Sequence, residues 1–351
     1  MRLVSTDCLI GGELIARDIV RENGVILLKR NTIYKQSFKE KLLDYNISSI
    51  YIEDSMSEGI EPVELITQEK RTLITRDLEE EISKIKTDGK INTEGIHYIA
   101  EGIIENINHQ NLVYDVVNIK TNDESTYDHS IGVTLLAYIV CRKLNLPLPQ
   151  IKDILVGSLL HDIGKLFIPK EILTKEGKLT EQEFQVVKQH PAIGYNLIKD
   201  DTSISAISKV SVLCHHERED GSGYPLGKGS DIHIGAKIIA CCDVFDAITT
   251  ERCYRKAMHI NEAIVTLHKE KLSPEIRTAL ESILNFYPVG AAVLLSNGSV
   301  GIVEKNYAQD LINPIVRVVF NKAGSSQTFE RLDLSKNKDI SIIQRLGDVR
   351  T

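Results

Sequence analysis

The spacing of apolar residues predicts that the middle of the chain is almost entirely α-helical. Ile96, Ile99, Ile103 and Ile107 recur at the spacing of one helical face. Further helices are predicted at about 128–144, 150–161, 181–199, 203–216, 234–251 and 261–284. The pair Thr180-x-x-Glu183 has the form of a capping box and marks the start of the 181–199 helix.

Different patterns flank this helical region. Residues 1–60 alternate short β-like runs with one helical run, which predicts a small α/β module. Residues 61–90 carry spaced apolar residues among dense charges, which favours a solvated linker helix able to pair with a copy of itself. A helical domain is expected over 91–285, and the alternation after Pro288 predicts a small β appendage over 286–351. The fold class is therefore mainly α, with an α/β module in front and a β domain behind.

Composition and charge restrict the classes of function. The 351 residues are 42% hydrophobic and 26% charged, as in an ordinary folded protein. A net charge of −7 argues against long nucleic acids and membranes as partners. Six scattered cysteines form no CxxC pair, and no stretch has the length of a membrane span or the form of a signal peptide. We therefore expect a cytoplasmic protein.

Five of the ten histidines cluster between residues 129 and 216 of the predicted helical domain. They are His129, His161, His190, His215 and His216. For each imidazole taken alone, a hydrogen-bonded structural histidine is the ordinary alternative. Five together favour a metal centre, because a His-Asp or His-His pair can supply two ligands where a helix stops and the chain bends.

Imidazole and carboxylate ligands without thiolates suit iron, manganese or zinc in hydrolytic work. Two metal ions about 3.5–4 Å apart need a bridging carboxylate, and Asp162 beside His161 is the candidate. Such ions lower the pKa of a bound water from 15.7 towards about 7, so a bridging hydroxide would exist at neutral pH and could attack a phosphodiester.

The motifs in this region closely resemble the HD-GYP branch of the HD-domain phosphohydrolases. The resemblance covers about 120–285 and rests on their order and spacing. The motifs are His161-Asp162-Ile163-Gly164-Lys165, His190-Pro191, the run from His215-His216-Glu217 through Gly223-Tyr224-Pro225, Asp243-Val-Phe-Asp-Ala-Ile-Thr, and Tyr254-Arg255-Lys256. It implies an HD-type helical bundle.

The resemblance also implies roles for individual residues. One metal ion would be held by His129, His161, Asp162 and Asp243, and the second by Asp162, His190, His215 and His216. Lys165 would contact the scissile phosphate, and Tyr224, Arg252 and Arg255 would contact guanine or the second phosphate. Ser125 stands where some members carry a Glu for a third metal ion, so two divalent ions are expected.

By this resemblance the protein is a phosphodiesterase that linearises cyclic di-GMP to pGpG and continues to GMP. Two alternatives stay open. One is an HD-type hydrolase of another nucleotide, which the loop from Glu217 to Pro225 and the arginines disfavour. The other is a slow or silent cyclic-dinucleotide receptor, which the intact ligand set disfavours. The N-terminal module is expected to regulate the enzyme or to assist dimerisation. A homodimer would form through this module or through the linker.

Overall fold

The computed structural model describes residues 1–20, 25–45, 47–89, 91–109, 112–115, 126–175, 177–249, 260–321 and 327–350. The chain divides into two compact units. The first combines residues 1–65, 108–122 and 284–351, and the second combines residues 66–107 and 123–283. Both predicted terminal modules therefore fall within the same unit.

The first unit is built mainly from antiparallel sheets. Its strands are β1 (Arg2–Ser5), β2 (Leu14–Ile15), β3 (Ile19–Val20), β4 (Ile26–Leu28), β5 (Ser49–Glu53), β6 (Tyr114–Asp115), β7 (Leu284–Asn285), β8 (Ala292–Leu295), β9 (Val300–Tyr307), β10 (Asp310–Phe320), β11 (Gln327–Asp333) and β12 (Ile342–Leu346). Its helix α1 spans Lys39–Asp44, and short 3-10 turns span Thr6–Cys8, Gln36–Phe38 and Ser55–Ser57.

Two sheets carry most of the first unit. The larger has the strand order β11-β10-β9-β8-β12, with Val316 opposite Val303 and Val293 opposite Gly301. The smaller has the order β1-β5-β2, and β3 pairs with β4 while β6 pairs in parallel with β7. The Asn297-Gly298 step connects β8 and β9, and Gly298 has a φ of 82°, which favours glycine at this turn.

The second unit is helical and contains the HD-type region. Its helices are α2 (Gln68–Asp88), α3 (Thr93–Asn106), α4 (Thr126–Lys143), α5 (Leu148–Leu160), α6 (Lys170–Leu173), α7 (Glu181–Val187), α8 (His190–Ile198), α9 (Ala206–Cys214), α10 (Ile234–Thr249), α11 (Ile260–Lys269) and α12 (Pro274–Glu281). A 3-10 helix spans Ile163–Phe167. Helix α5 packs against α4 and α9, and α10 packs against α4 and α9.

Two helices predicted as continuous are each broken in the structure. The predicted 181–199 helix is α7 followed by α8, because the chain turns at Lys188 and Pro191 lies at the start of α8, where its missing N–H costs nothing. The predicted 261–284 helix is α11 followed by α12, which begins at Pro274 for the same reason. The capping box of Thr180 and Glu183 is present at α7 as predicted.

Helix α4 is surrounded by apolar contacts over most of its length. Its run from Ile131 to Cys141 is buried throughout, and Leu136 and Val140 are fully covered. This burial explains why the run shows weak amphipathic character, since an all-round apolar helix belongs in a core. No helix among the described residues has both the length and the apolar character needed to span a membrane.

Candidate metal centre

The candidate ligands lie where helices of the second unit begin or end. His161 follows the last residue of α5, His215 follows the last residue of α9, and His190 opens α8. His129 lies in the first turn of α4, and Asp243 lies within α10. The ends of four helices and the middle of α10 therefore meet around one buried polar site.

The side chains form two groups that could each hold a metal ion. In one group, ligand atoms of Asp162, His190, His215 and His216 all lie within 4.8 Å of one another. In the other, those of His129, His161 and Asp243 do the same. These are the seven residues that the sequence motifs predict as ligands, and the structure brings all of them together.

The carboxylate of Asp162 lies between the two groups. Its Oδ1 is 3.3 Å from Nε2 of His190 and 3.9 Å from Nε2 of His215. Its Oδ2 is 3.4 Å from Nε2 of His161 and 3.9 Å from Nε2 of His129. One oxygen therefore faces each group, which is the arrangement a bridging carboxylate needs.

Backbone carbonyls fix the orientation of three of the imidazoles. Nδ1 of His161 donates to Ser158 O at 2.7 Å, and Nδ1 of His190 donates to Val187 O at 2.7 Å. Nδ1 of His215 likewise donates to Val212 O at 2.8 Å. Because each Nδ1 carries the proton, each Nε2 is left with a lone pair directed towards Asp162. All three acceptors lie three residues before their histidine, so the helix end itself sets the tautomer.

His129 is oriented by a carboxylate instead. Its Nδ1 is 2.8 Å from Oδ2 of Asp246, and its Nε2 is 3.0 Å from Oδ1 of Asp243. Gly132 makes room for this pair, since a Cβ at that position would lie 2.6 Å from Oδ1 of Asp246. The two carboxylates on α10 therefore hold the imidazole from both sides.

Burial and charge set the protonation of the site. Burial lowers the pKa of His190 to about 4 and the pKa of His216 to about 3. Burial also opposes a charge on His129, but hydrogen bonds to Asp243 and Asp246 outweigh it and raise the pKa of His129 to about 9. The imidazoles of the first group are thus neutral at pH 7, which is the state that binds metal.

The pKa values of the two carboxylates are lowered as well. Burial opposes ionisation of Asp162, but the charge of Lys165 holds its pKa below the usual range. Hydrogen bonding to His129 does the same for the pKa of Asp243. Both groups are therefore anions at neutral pH, as ligands of a divalent ion must be.

These residues fit a metal centre by two observations. Nε2 of His161 and Oδ1 of Asp162 are buried and have no hydrogen-bond partner among the described residues. Such acceptors are costly to leave unsatisfied, and a cation between the two groups would satisfy both. The donors are imidazole nitrogens and carboxylate oxygens, which suit iron, manganese or zinc.

Lys165 lies at the edge of the site, with its Nζ 2.6 Å from Oδ2 of Asp162. The 3-10 helix that carries it packs closely on α8 through Gly164. A Cβ at Gly164 would lie 2.0 Å from the carbonyl oxygen of His190, so only glycine fits there. Gly164 therefore serves close packing between two ligand-bearing segments and does not end a helix by its conformation.

The loop after His216 folds back over the site. The buried carboxylate of Glu217 accepts hydrogen bonds from the N–H groups of Leu226, Gly227 and Lys228 at 2.6, 3.1 and 3.1 Å. Glu217 therefore closes this loop, because its oxygens are engaged by loop amides. Asp246, in contrast, contacts His129.

Tyr224 in this loop stacks on His216, with ring centroids 4.7 Å apart and ring planes 25° apart. Its N–H donates to His216 O at 3.2 Å, and a Cβ at Gly223 would lie 2.4 Å from backbone atoms of residues 217 and 218. The predicted site residue is thus brought to the metal groups. Arg252 and Arg255, the other predicted substrate contacts, lie outside the described residues.

One contact of the site has no sequence signal. Arg71 on α2 donates from Nε to Oδ1 of Asp128 at 2.9 Å and from its NH2 nitrogen to Oδ2 at 3.0 Å. This forked pair ties α2 to the residue immediately before His129. Arg71 stands among many charged residues of a helix that the sequence assigns to a solvated linker, so its partner could not be selected from the sequence.

Comparisons with known proteins agree with this architecture. Residues 111–276 match the family model described as an HD domain. The cyclic di-GMP phosphodiesterase PA4108 of Pseudomonas aeruginosa is 39% identical over 218 residues, which cover 61% of this chain and 53% of that protein. The 3'3'-cGAMP-specific phosphodiesterase 1 of Vibrio cholerae is 37% identical over 165 residues, which cover 45% of this chain and 36% of that protein.

A solved structure shares the fold. Bd1817, an HDG"Y"P protein from Bdellovibrio bacteriovorus, superposes with a TM-score of 0.52 at 18% identity, covering 80% of this chain and 98% of that one. The chain spans about half the length, or less, of the curated relatives it matches. Residues 111–276 therefore match an HD domain, and the chain is similar to named cyclic-dinucleotide phosphodiesterases.

Proposed function

We propose that this protein is a metal-dependent phosphodiesterase that hydrolyses cyclic di-GMP to pGpG and further to GMP. The observation that carries the proposal is the position of Asp162, with one carboxylate oxygen facing each of two histidine-rich groups. The relatives named for cyclic di-GMP and for 3'3'-cGAMP support a cyclic dinucleotide as the substrate class.

Seven side chains would hold two divalent ions. His129, His161 and Asp243 would bind one, His190, His215 and His216 the other, and Asp162 both. Ions bound there supply Lewis acidity towards the phosphodiester and a water of lowered pKa. The chain itself fixes the ligand lone pairs through the carbonyls of residues 158, 187 and 212 and through Asp246, so that little reorganisation is needed on binding.

Lys165 and Tyr224 would act on the substrate. The ammonium of Lys165, beside Asp162, is placed to donate to a phosphate oxygen and to offset negative charge as it develops on that group. Tyr224, held against His216 by the Glu217-anchored loop, would cover the open side of the site and contact a guanine. Arg252 and Arg255 would complete the substrate contacts.

A product assay on anaerobically prepared protein tests the proposal. Wild-type protein loaded with Fe²⁺, Mn²⁺ or Zn²⁺ is incubated with cyclic di-GMP, 3'3'-cGAMP and cyclic di-AMP, and products are separated by chromatography. We expect pGpG from cyclic di-GMP, metal content near two ions per chain, and loss of both in Asp162→Ala. Asp200→Ala, an exposed aspartate of the same unit, is the matched control and should keep both.

The receptor alternative predicts a different result from the same samples. Metal-loaded protein that binds cyclic di-GMP but leaves it uncut over hours would be a receptor. Cleavage of mononucleotides in preference to all three cyclic dinucleotides would make it a nucleotidase of the wider HD superfamily. Full turnover in Asp162→Ala would contradict the two-metal site.

A further inference from the structure

Lys188 is a cation at the edge of the metal centre that neither the sequence motifs nor the comparisons single out. It forms the turn between α7 and α8, two residues before His190, and its N–H donates to Phe184 O at 2.9 Å. Its Nζ lies 4.6 Å from the ring centroid of Phe184 and 5.6 Å from the ring centroid of Tyr224. The Tyr224 ring in turn stacks on His216. The ammonium therefore lies against a ring that itself stacks on a candidate metal ligand.

In the described part of the chain, no carboxylate neutralises the charge of Lys188. Among the described residues no Asp or Glu oxygen lies within 4.0 Å of its Nζ, whereas Lys165 pairs with Asp162 and Lys175 pairs with Glu183. Lys188 is also partly buried, unlike the fully exposed lysines of this unit such as Lys199. Two aromatic rings locate the ammonium by cation–π contacts, which leave its three N–H donors available to an anion.

The substrate class proposed above carries a second anion, and Lys188 is a candidate partner for it beside the predicted Arg252 and Arg255. A cyclic dinucleotide has two phosphodiester groups, and only one of them can occupy the metal centre and Lys165 at a time. The second must lie beyond that centre, on a protein whose net charge is −7. The ammonium of Lys188 beside Tyr224, which has no carboxylate partner among the described residues, supplies local positive charge on a protein of net negative charge.

We propose that Lys188 binds the non-scissile phosphodiester of the cyclic dinucleotide, with Phe184 and Tyr224 holding its ammonium in place. This inference rests on the proposed function, because it names a subsite for the same substrate. Lys188 is then a substrate-binding residue that sets preference for dinucleotides over smaller esters, and Phe184, whose side chain is 39% exposed, is a positioning residue.

The test compares two substrates in three variants of the full chain. Lys188→Met removes the charge and keeps the length, Lys188→Arg keeps the charge, and Lys199→Met is the matched control on an exposed lysine. Cyclic di-GMP carries both phosphodiesters, whereas bis(p-nitrophenyl) phosphate carries one. We expect Lys188→Met to raise KM for cyclic di-GMP about tenfold with kcat within about twofold, and to leave bis(p-nitrophenyl) phosphate hydrolysis and metal content unchanged. Lys188→Arg should restore most of the KM, and Lys199→Met should match the wild type.

Other outcomes separate the inference from the function on which it rests. Equal losses on both substrates, or an unchanged KM for cyclic di-GMP in Lys188→Met while the wild type is active, would overturn the role of Lys188 and leave the phosphodiesterase standing. Wild-type protein that cleaves bis(p-nitrophenyl) phosphate but no cyclic dinucleotide would overturn the proposed function itself. Binding of cyclic di-GMP by the wild type should also weaken with added salt more steeply than binding by Lys188→Met.

Discussion

Oδ2 of Asp246 accepts a hydrogen bond from Nδ1 of His129 at 2.8 Å, and Gly132, one turn along α4 from His129, provides the space for that carboxylate. The arrangement is the one found where a carboxylate fixes the tautomer of a metal-binding histidine. It differs from the other buried imidazoles of the site, whose Nδ1 atoms meet backbone carbonyls. His129 is therefore the one of these four whose orientation depends on a side chain that can be replaced.

Replacing Asp246 by Ala should weaken metal binding by about 10–100-fold without removing a ligand. The imidazole of His129 would lose the acceptor that holds its proton on Nδ1, so its Nε2 lone pair would no longer be kept available. Metal affinity measured by chelator competition, with ion content by elemental analysis, checks the prediction. Asp200→Ala serves again as the exposed control, and an Asp246→Ala protein with wild-type metal affinity would contradict it.

Replacing Lys165 by Ala should separate rate from metal binding. The ammonium is a donor to the phosphate in the proposed reaction, and loss of one such donor costs about 100–1,000-fold in kcat. Both ions should remain, because no ligand atom is removed. Lys170→Ala, an exposed lysine on α6, is the control. Loss of an ion in Lys165→Ala would mean that this lysine acts chiefly by supporting Asp162.

The first unit offers a pH prediction of its own. Burial raises the pKa of Asp115 from 3.8 to about 6, against a hydrogen bond from Asn285 that lowers it. Below about pH 3 the group is protonated in both folded and unfolded chains. As the pH rises to 6 the unfolded chain ionises first, so this group makes the fold less stable over that window.

Asp115→Asn should therefore stabilise the protein by about 1–3 kcal/mol at pH 7.5 and by little at pH 4. The amide oxygen can still accept from Asn285 while the cost of a partly buried charge is removed. Urea unfolding at several pH values checks this, with Asp44→Asn on the exposed face of α1 as control. A gain that does not change with pH would argue against an elevated pKa.

The sequence predicts which residues form the ligand set far better than it predicts the contacts that hold those residues in place. Periodicity places His161 and His215 at helix ends, because apolar spacing stops where the polar ligands begin, whereas it places His190 inside a continuous helix over 181–199. The break between α7 and α8 was missed, since 3.6-residue periodicity continues across Lys188 and the turn depends on Pro191 and on packing against the Gly164 segment. Long-range pairs such as Arg71 with Asp128 depend on tertiary proximity that no local pattern encodes.

Gly164→Ala tests whether close packing, rather than backbone freedom, explains the glycine of the His161–Lys165 motif. An added methyl would meet the carbonyl oxygen of His190 at 2.0 Å and the amide nitrogen of Gly194 at 2.8 Å, so the 3-10 helix and α8 must move apart. We expect a loss of about 1–3 kcal/mol in the free energy of unfolding, together with weaker metal binding, because Asp162 and His190 lie on the two separated segments.

Gly102→Ala in the middle of α3 is the matched control. A Cβ there has no neighbour within 4 Å, so the same methyl should stabilise the helix by about 0.5–1 kcal/mol. Equal effects of the two substitutions on unfolding and on metal affinity would show that contact with His190 does not constrain residue 164.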